Sequence, residues 1–287
     1  MILILGLGAG HAAAQEGLLP SPDAKSLGMG GLAMTTTGVS HALYHNAALS
    51  AFSDSPIQLS SSFYKQSSYD FYSVTGSAGF GDHNRLHAGW RQYLREKGDS
   101  DQAVDLGYSR RIGPEWGIGI VGRYLHLRRP GANADALAAD VSVARSHPLE
   151  HVGSYSTLRL GAKVANLGGY IGHASGELPT SVTAGIALDS FLSDAHEITA
   201  GLDAGYCCTP SAVRGFYGSV GAEYNLMQFV QLRAGYHYGE KSDWSPSYTS
   251  VGAGVRFLHL RLDFAYLIAA RSNRMHNTYS LSFGLDF

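Results

Sequence analysis

From about residue 57 to the end, apolar and polar side chains alternate one for one in short stretches separated by polar or glycine-rich breaks. The last eleven residues show the pattern most clearly. Tyr279, Leu281, Phe283, Leu285 and Phe287 fall on one side, and Thr278, Ser280, Ser282, Gly284 and Asp286 on the other. A strand turns successive side chains to opposite faces, so each stretch carries one greasy face and one wet face. The pattern predicts about fourteen strands, over 57–64, 70–80, 84–94, 102–111, 115–127, 135–146, 155–166, 179–188, 196–206, 215–226, 228–238, 247–257, 259–268 and 277–287. Each is roughly ten residues long, close to the 9–11 that a tilted strand needs to cross the hydrocarbon layer. The expected fold is therefore all-β: a transmembrane antiparallel β-barrel.

Charge decides which face points where. Arg159, Lys163, Asp203, Glu223, Arg233, Arg256, Arg261 and Asp263 all sit on the polar side of their strands. One Arg or Lys facing lipid at mid-bilayer costs about 2–4 kcal/mol, so the set turned outward would cost tens. These residues are expected to line the lumen. Mixed signs on neighbouring strands favour pairs that hold a plug over a path for polar substrates. Long and short breaks mostly alternate, with two exceptions at 147–154 and 188–195, and an even strand count puts both chain ends on the short-turn side. In outer-membrane barrels that side is the periplasm.

Composition supports this picture. Of 287 residues, 15% are charged, against about 25% in an ordinary soluble domain. The mean hydropathy is nonetheless only −0.06, as alternation requires. A net charge of −2 gives no reason to expect a nucleic-acid partner. Met1–Ala14 reads as a secretory signal, with an apolar run leading to Ala-Ala-Ala before Gln15. The two cysteines, Cys207 and Cys208, are adjacent and build no disulfide framework.

Residues 15–56 break the alternation and are expected to plug the lumen, since a fourteen-stranded barrel is wider than the eight strands whose side chains fill it. Within them, Gly28, Gly30 and Gly31 would let the chain bend against the wall. A short helix is expected over 40–52 behind a Ser40 cap, carrying Tyr44 and Asn46. Thirteen histidines are scattered, and His41 and His45 lack the intervening glutamate of a zinc hydrolase helix. No serine–histidine pair has a supporting third group. No cofactor, metal or enzymatic activity is expected. Trp244 and Tyr248 are expected on an exposed loop, placed either for contact with a protein partner or as girdle residues at the membrane interface.

Residues 22–31 followed by Tyr44–Leu49, then Gly161–Gly168, Leu178–Thr180, Gly221–Tyr224, Leu232–Tyr236, Gly252–Arg256 and Leu262–Tyr266, together resemble the PorV/PorQ family of Bacteroidetes outer-membrane proteins, nearer PorV than PorQ. The resemblance implies a FadL-like barrel of fourteen strands with an N-terminal hatch. It further implies a type IX secretion system role, in which secreted cargo proteins or partner subunits bind at the extracellular side. Two departures point to a paralogue: a shorter chain, and Asn46-Ala47-Ala48 where the family tends to have Asn-Pro-Ala. The alternative expectation is a FadL-like channel for hydrophobic small molecules such as long-chain fatty acids, with a lateral gap in the wall where a strand kinks.

Overall fold

The computed structural model describes residues 23–287 apart from 67–68, 96–98, 130–131, 151–154, 175 and 241–243. The expected signal segment, 1–14, lies outside the described residues. The strands are β1 Ile57–Lys65, β2 Tyr69–Phe80, β3 Asn84–Arg95, β4 Ser100–Ile112, β5 Trp116–Arg129, β6 Ala132–Leu149 and β7 Tyr155–Ile171. They continue as β8 Ser181–Ser193, β9 His196–Cys207, β10 Gly215–Leu226, β11 Val230–Gly239, β12 Tyr248–Phe257, β13 Leu260–Ile268 and β14 Thr278–Asp286. Each pairs antiparallel with its neighbours in sequence, and β14 closes on β1 from Gln58↔Asp286 to Lys65↔Tyr279. The result is a closed fourteen-stranded barrel.

Closure follows from the surroundings. Leu86, Leu106, Ile120, Leu202, Leu232 and Leu262 project outward among many other apolar side chains, Leu106 at 65% exposure. An apolar surface running around the whole wall far exceeds the patches of a soluble monomer. It fits hydrocarbon, where every backbone amide must find a partner within the sheet and an open edge has none. Ser, Thr, Asp and Arg fill most of the opposite face and are buried in the lumen.

The two breaks that looked too long on the short-turn side are shorter than expected, because β6 and β8 run past their expected ends. Only Asp194 and Ala195 separate β8 from β9. Strands β6 and β7 overshoot most, at 18 and 17 residues. Their ladder slips between Ala139 and Val141. Opposite the slip Asn166 adopts φ 60°, and Ala165 and Asn166 are both buried. This bulge resets the inside–outside alternation, so the upper part of β7 no longer follows the period of its lower part.

Helix α1, Ala24–Gly28, and two 3₁₀ segments, Ser40–Leu43 and Ala47–Phe52, fill the lumen. Asp23 caps α1 by accepting from Ser26 N at 3.1 Å. The continuous Ser40-capped helix expected over 40–52 is corrected. Ser40 makes no cap bond and instead bonds Thr75 Oγ1 at 2.6 Å, while Asn46 caps the second segment by accepting from Ala48 N at 3.1 Å. Tertiary contacts at Ser40 have overridden a local capping preference.

The plug lies directly on strand backbone. Inward-facing glycines at mid-height, among them Gly119, Gly161, Gly221 and Gly235, leave no side chain between wall and plug. A carbon added at any of them would overlap the main chain of Ala48, Met34 or Met29. Gly30, at φ 71°, turns the chain after α1 against the backbone of Tyr236. Gly28 approaches Gly252, and Gly31 packs by the Tyr248 hydroxyl.

Substituting Gly235→Leu is expected to unseat the plug at a cost of about 1–3 kcal/mol or more, the range for overpacking. The readout is protease cleavage within 23–53 of the folded barrel. Gly122→Leu, at a position with open space around it, should leave the cleavage pattern unchanged.

Candidate functional site: a plugged lumen with two chambers

The charges of the lumen wall reach for the plug. Asp203 Oδ2 accepts from Ala33 N at 2.6 Å and from Met34 N at 2.9 Å. Lys163 donates to the Tyr44 carbonyl at 2.8 Å, and Arg159 Nε to the Thr35 carbonyl at 2.9 Å. Arg261 donates to the Gly38 carbonyl. Glu223 pairs with Lys25 of α1 at 3.7 Å and with Arg233, which also binds Asp263 at 2.7 Å. Arg261 continues the chain to Asp263 at 3.3 Å and Asp286 at 3.2 Å. Arg256 stands apart: it lies at the short-turn mouth, half-exposed, 3.4 Å from Asp286.

A second network escaped the sequence reading. Arg123 bonds Asp105 and the Asn166 side chain, both at 2.5 Å, and Asp140 at 3.2 Å. Asp140 in turn accepts from Asn166 N at 2.8 Å and lies 3.7 Å from Lys163. Arg91 stacks on the Tyr44 ring at 4.7 Å and lies 3.5 Å from Asp105. The same alternation that marked Arg233 would have marked Arg91, Asp105, Arg123 and Asp140. Asn166, however, owes its place to the bulge, which no alternation shows.

Within the plug, Asn46 Nδ2 donates to the Met34 carbonyl at 3.0 Å, tying the two halves of the segment together. His45 Nε2 lies 2.6 Å from Asp23 Oδ2, and His41 Nε2 lies 3.0 Å from Ser73 Oγ. Burial pushes the His41 imidazole down to about 4 against the opposing pull of Asp23, so it sits in the lumen neutral. Burial alone would raise the Asp23 carboxyl, but hydrogen bonds from His45 and Ser26 and the nearby imidazoles hold it far below the carboxylate range. Both histidines are therefore fastenings of the plug. Among the described residues no group of three His, Cys, Asp or Glu side chains is placed to hold a metal ion.

The expected exposure of Trp244 and Tyr248 is corrected. They are 8% and 7% exposed. Trp244 meets Tyr217 edge-on at 5.3 Å beside Cys207 and Val213, and Tyr248 stacks on His237 at 5.1 Å. Near the long loops the inward positions are themselves apolar, including Tyr64, Phe71, Tyr93, Leu125 and Leu267. Aromatic side chains there gain more by turning in than out.

The plug divides the lumen. On the long-loop side lies a chamber of about 210 Å³, with apolar walls from Leu27, Met34, Tyr64, Tyr93, Trp244 and Met275. On the short-turn side lies a polar one of about 150 Å³, bordered by Lys25, Arg159, Glu223, Arg233, Arg256 and Arg261. Asp140, Ala165 and Asn166 bring the apolar chamber to the β6–β7 bulge. Outside the wall at the same strands runs an apolar groove lined by Ile118, Ile120, Val141, Val143, Val164 and Val182. Lys163 borders both spaces.

No family model matches this chain, and no curated protein is similar to it at a significant level. Solved structures do share its fold. The toluene transporter TodX of P. putida aligns over 94% of this chain and 99% of its own, with TM-score 0.61 and 14% identity. The monoaromatic hydrocarbon channel CymD aligns over 94% and 98%, with TM-score 0.60 and 14% identity. A FadL homologue of Pseudomonas aeruginosa aligns over 94% and 99%, with TM-score 0.55 and 12% identity. The chain has the FadL-like barrel fold. The narrower likeness to PorV/PorQ finds no counterpart among these three.

Arg233 tests the networks. Arg233→Ala leaves Glu223 with Lys25 at 3.7 Å and Asp263 with Arg261 at 3.3 Å in place of their shorter bonds, and is expected to cost about 3 kcal/mol, the low end for removing one partner of a buried pair. Arg256→Ala, at the open mouth, should cost under about 1 kcal/mol. Thermal unfolding of the purified barrel, followed by its heat-modifiable gel mobility, separates the two.

Proposed function

We propose that this protein is an outer-membrane channel of the FadL type for small hydrophobic molecules, with both ends of the chain in the periplasm. The long loops then face outward, and a ligand enters the apolar chamber from the cell exterior. A fastened plug blocks the straight way down, and the polar chamber beneath it disfavours an apolar solute. The way out is sideways, through the interrupted β6–β7 ladder into the apolar groove and the bilayer. The observation that carries this reading is the apolar chamber itself, closed below and abutting a break in the wall. Its volume of about 210 Å³ exceeds the roughly 150 Å³ of an apolar protein cavity that admits benzene. The hydrocarbon channels named above supply the same fold but, at their low identity, not the ligand.

Docking of secreted cargo or secretion-system subunits is the second reading, and it has less support. The aromatic side chains expected to serve it, Trp244 and Tyr248, are buried. The longest connections on that side, 172–180 and 269–277, span only nine residues each, leaving little surface to hold a folded partner.

Vesicles containing the protein are expected to take up labelled toluene or decanoate saturably. Ala165→Phe, which fills the chamber beside the bulge, should reduce that uptake by roughly tenfold, equivalent to about 1.4 kcal/mol. Uptake equal to that of protein-free vesicles for both compounds rules the channel reading out. Recovery of secreted proteins on the purified barrel would then favour the second.

A further inference from the structure

The rim on the short-turn side is uneven. Two of its hairpin tips, β10–β11 and β12–β13, carry large apolar side chains where polar turn residues are expected. Met227 is 71% exposed and Leu258 79%. Both hold the left-handed backbone, at φ 53° each, with Gln228 alongside at 55°. Tight hairpins favour Asn and Gly at such positions, because a bulky side chain there is strained. Met227 N donates to the Ala195 carbonyl at 2.7 Å, but both side chains stay exposed, and keeping Met and Leu in a strained and exposed place calls for a compensating contact at those side chains.

What surrounds the tips identifies that contact. Phe229 and Phe257 meet edge-to-face at 6.4 Å between the two hairpins, and Arg256 N donates to the Phe229 carbonyl at 2.8 Å. The tips therefore form one patch, which runs without a break into the outward-facing Leu232, Val255, Leu260 and Leu262 of the wall. In a ring of fourteen strands the β4–β5 tip lies across the barrel. That tip is Gly113-Pro114-Glu115, and Glu115 is held by Arg145 at 2.8 Å and His147 at 2.8 Å. On the β10–β13 side the apolar surface includes the turn residues themselves, while at β4–β5 it stops at Ile112 and Trp116, short of a turn that carries fixed charge.

We propose that the Met227 and Leu258 hairpin tips insert into the boundary between lipid headgroups and acyl chains, so that the apolar band reaches lower on the β10–β13 side and the barrel sits tilted. The occupant is lipid, because the patch continues a surface that already faces lipid. Shallow burial of apolar side chains at this boundary is how amphipathic segments hold a membrane surface. A tilt accommodates unequal apolar height at modest cost. The inference rests on the bilayer placement of the barrel, and the experiment contains a position that tests that placement separately.

Single cysteines would be introduced at Met227→Cys, Leu258→Cys, Pro114→Cys and Leu106→Cys in a Cys207→Ser, Cys208→Ser background. Each is labelled with an environment-sensitive nitrobenzoxadiazole dye and placed in phosphatidylcholine vesicles whose acyl chains are brominated near the headgroup. The labels at 227 and 258 are expected to emit blue-shifted and to lose most of their emission to the brominated lipid, while the label at 114 emits as in water. If the label at 106 is quenched but those at 227 and 258 behave like the one at 114, insertion of the tips is overturned. An unquenched label at 106 removes the bilayer placement and the inference with it.

Discussion

A backbone amide in hydrocarbon has no water to bond, and from that constraint the rest of this structure follows in order. The sheet must close, so β14 pairs with β1 along its length. Outward positions must be apolar and ions must turn in, so the lumen becomes the only place for Arg91, Arg123, Arg233 and their partners. Fourteen strands enclose more space than their own side chains fill. The chain answers with its N-terminal segment, and the inward charges, already confined to the lumen, become what holds it.

Two kinds of contact secure that segment, and neither suffices alone. Mid-height glycines let plug and wall backbones touch, which yields dense packing but leaves plug amides and carbonyls needing partners. Asp203, Lys163, Arg159 and Arg261 supply them, each bonding a main-chain atom of the plug. An ion buried in this way adds little net stability over an apolar replacement, yet its removal is costly because the partner is left unpaired. The networks therefore act chiefly to fix position. They set which plug residue lies at which height, and so where the lumen divides.

How much of this was legible in the chain depended on contrast between faces. Strands such as β13, with Leu262 and Phe264 against Arg261 and Asp263, declare both their existence and their orientation. The lumen charges Arg233 and Glu223 were placed by the same contrast, and the strand count with them. In β5 the contrast fails: Leu125 and Leu127 face in while Ile118 and Ile120 face out. Alternation is silent where both faces are apolar, so the upper chamber left no mark in the pattern. The Asn166 bulge is a change of phase, which a fixed period of two treats as noise. Trp244 and Tyr248 turn inward, against the usual outward course of a loop, because here the barrel mouth offers an apolar interior. The PorV/PorQ resemblance pointed correctly to a FadL-like barrel, but motif order alone could not carry the narrower family.

On the channel reading proposed above, the opposite character of the two chambers decides which way a solute would leave. A hydrophobic solute that has reached the walls of Leu27, Tyr93 and Trp244 faces two exits of unequal cost. Downward lie the fastened plug and then a space bordered by Arg159, Glu223 and Arg233, where an apolar molecule would displace water from charges it cannot replace. Sideways lies a ladder already interrupted at Ala139–Val141, backed by valine and isoleucine on the outer wall. The polar cluster of Arg123, Asp140 and Asn166 spans that interruption with side-chain bonds. It stands in for backbone pairing that the bulge has removed, and side-chain bonds can part without unpairing the strands on either side. The interrupted stretch of the β6–β7 ladder thus lies between the apolar chamber and the apolar groove on the outer wall.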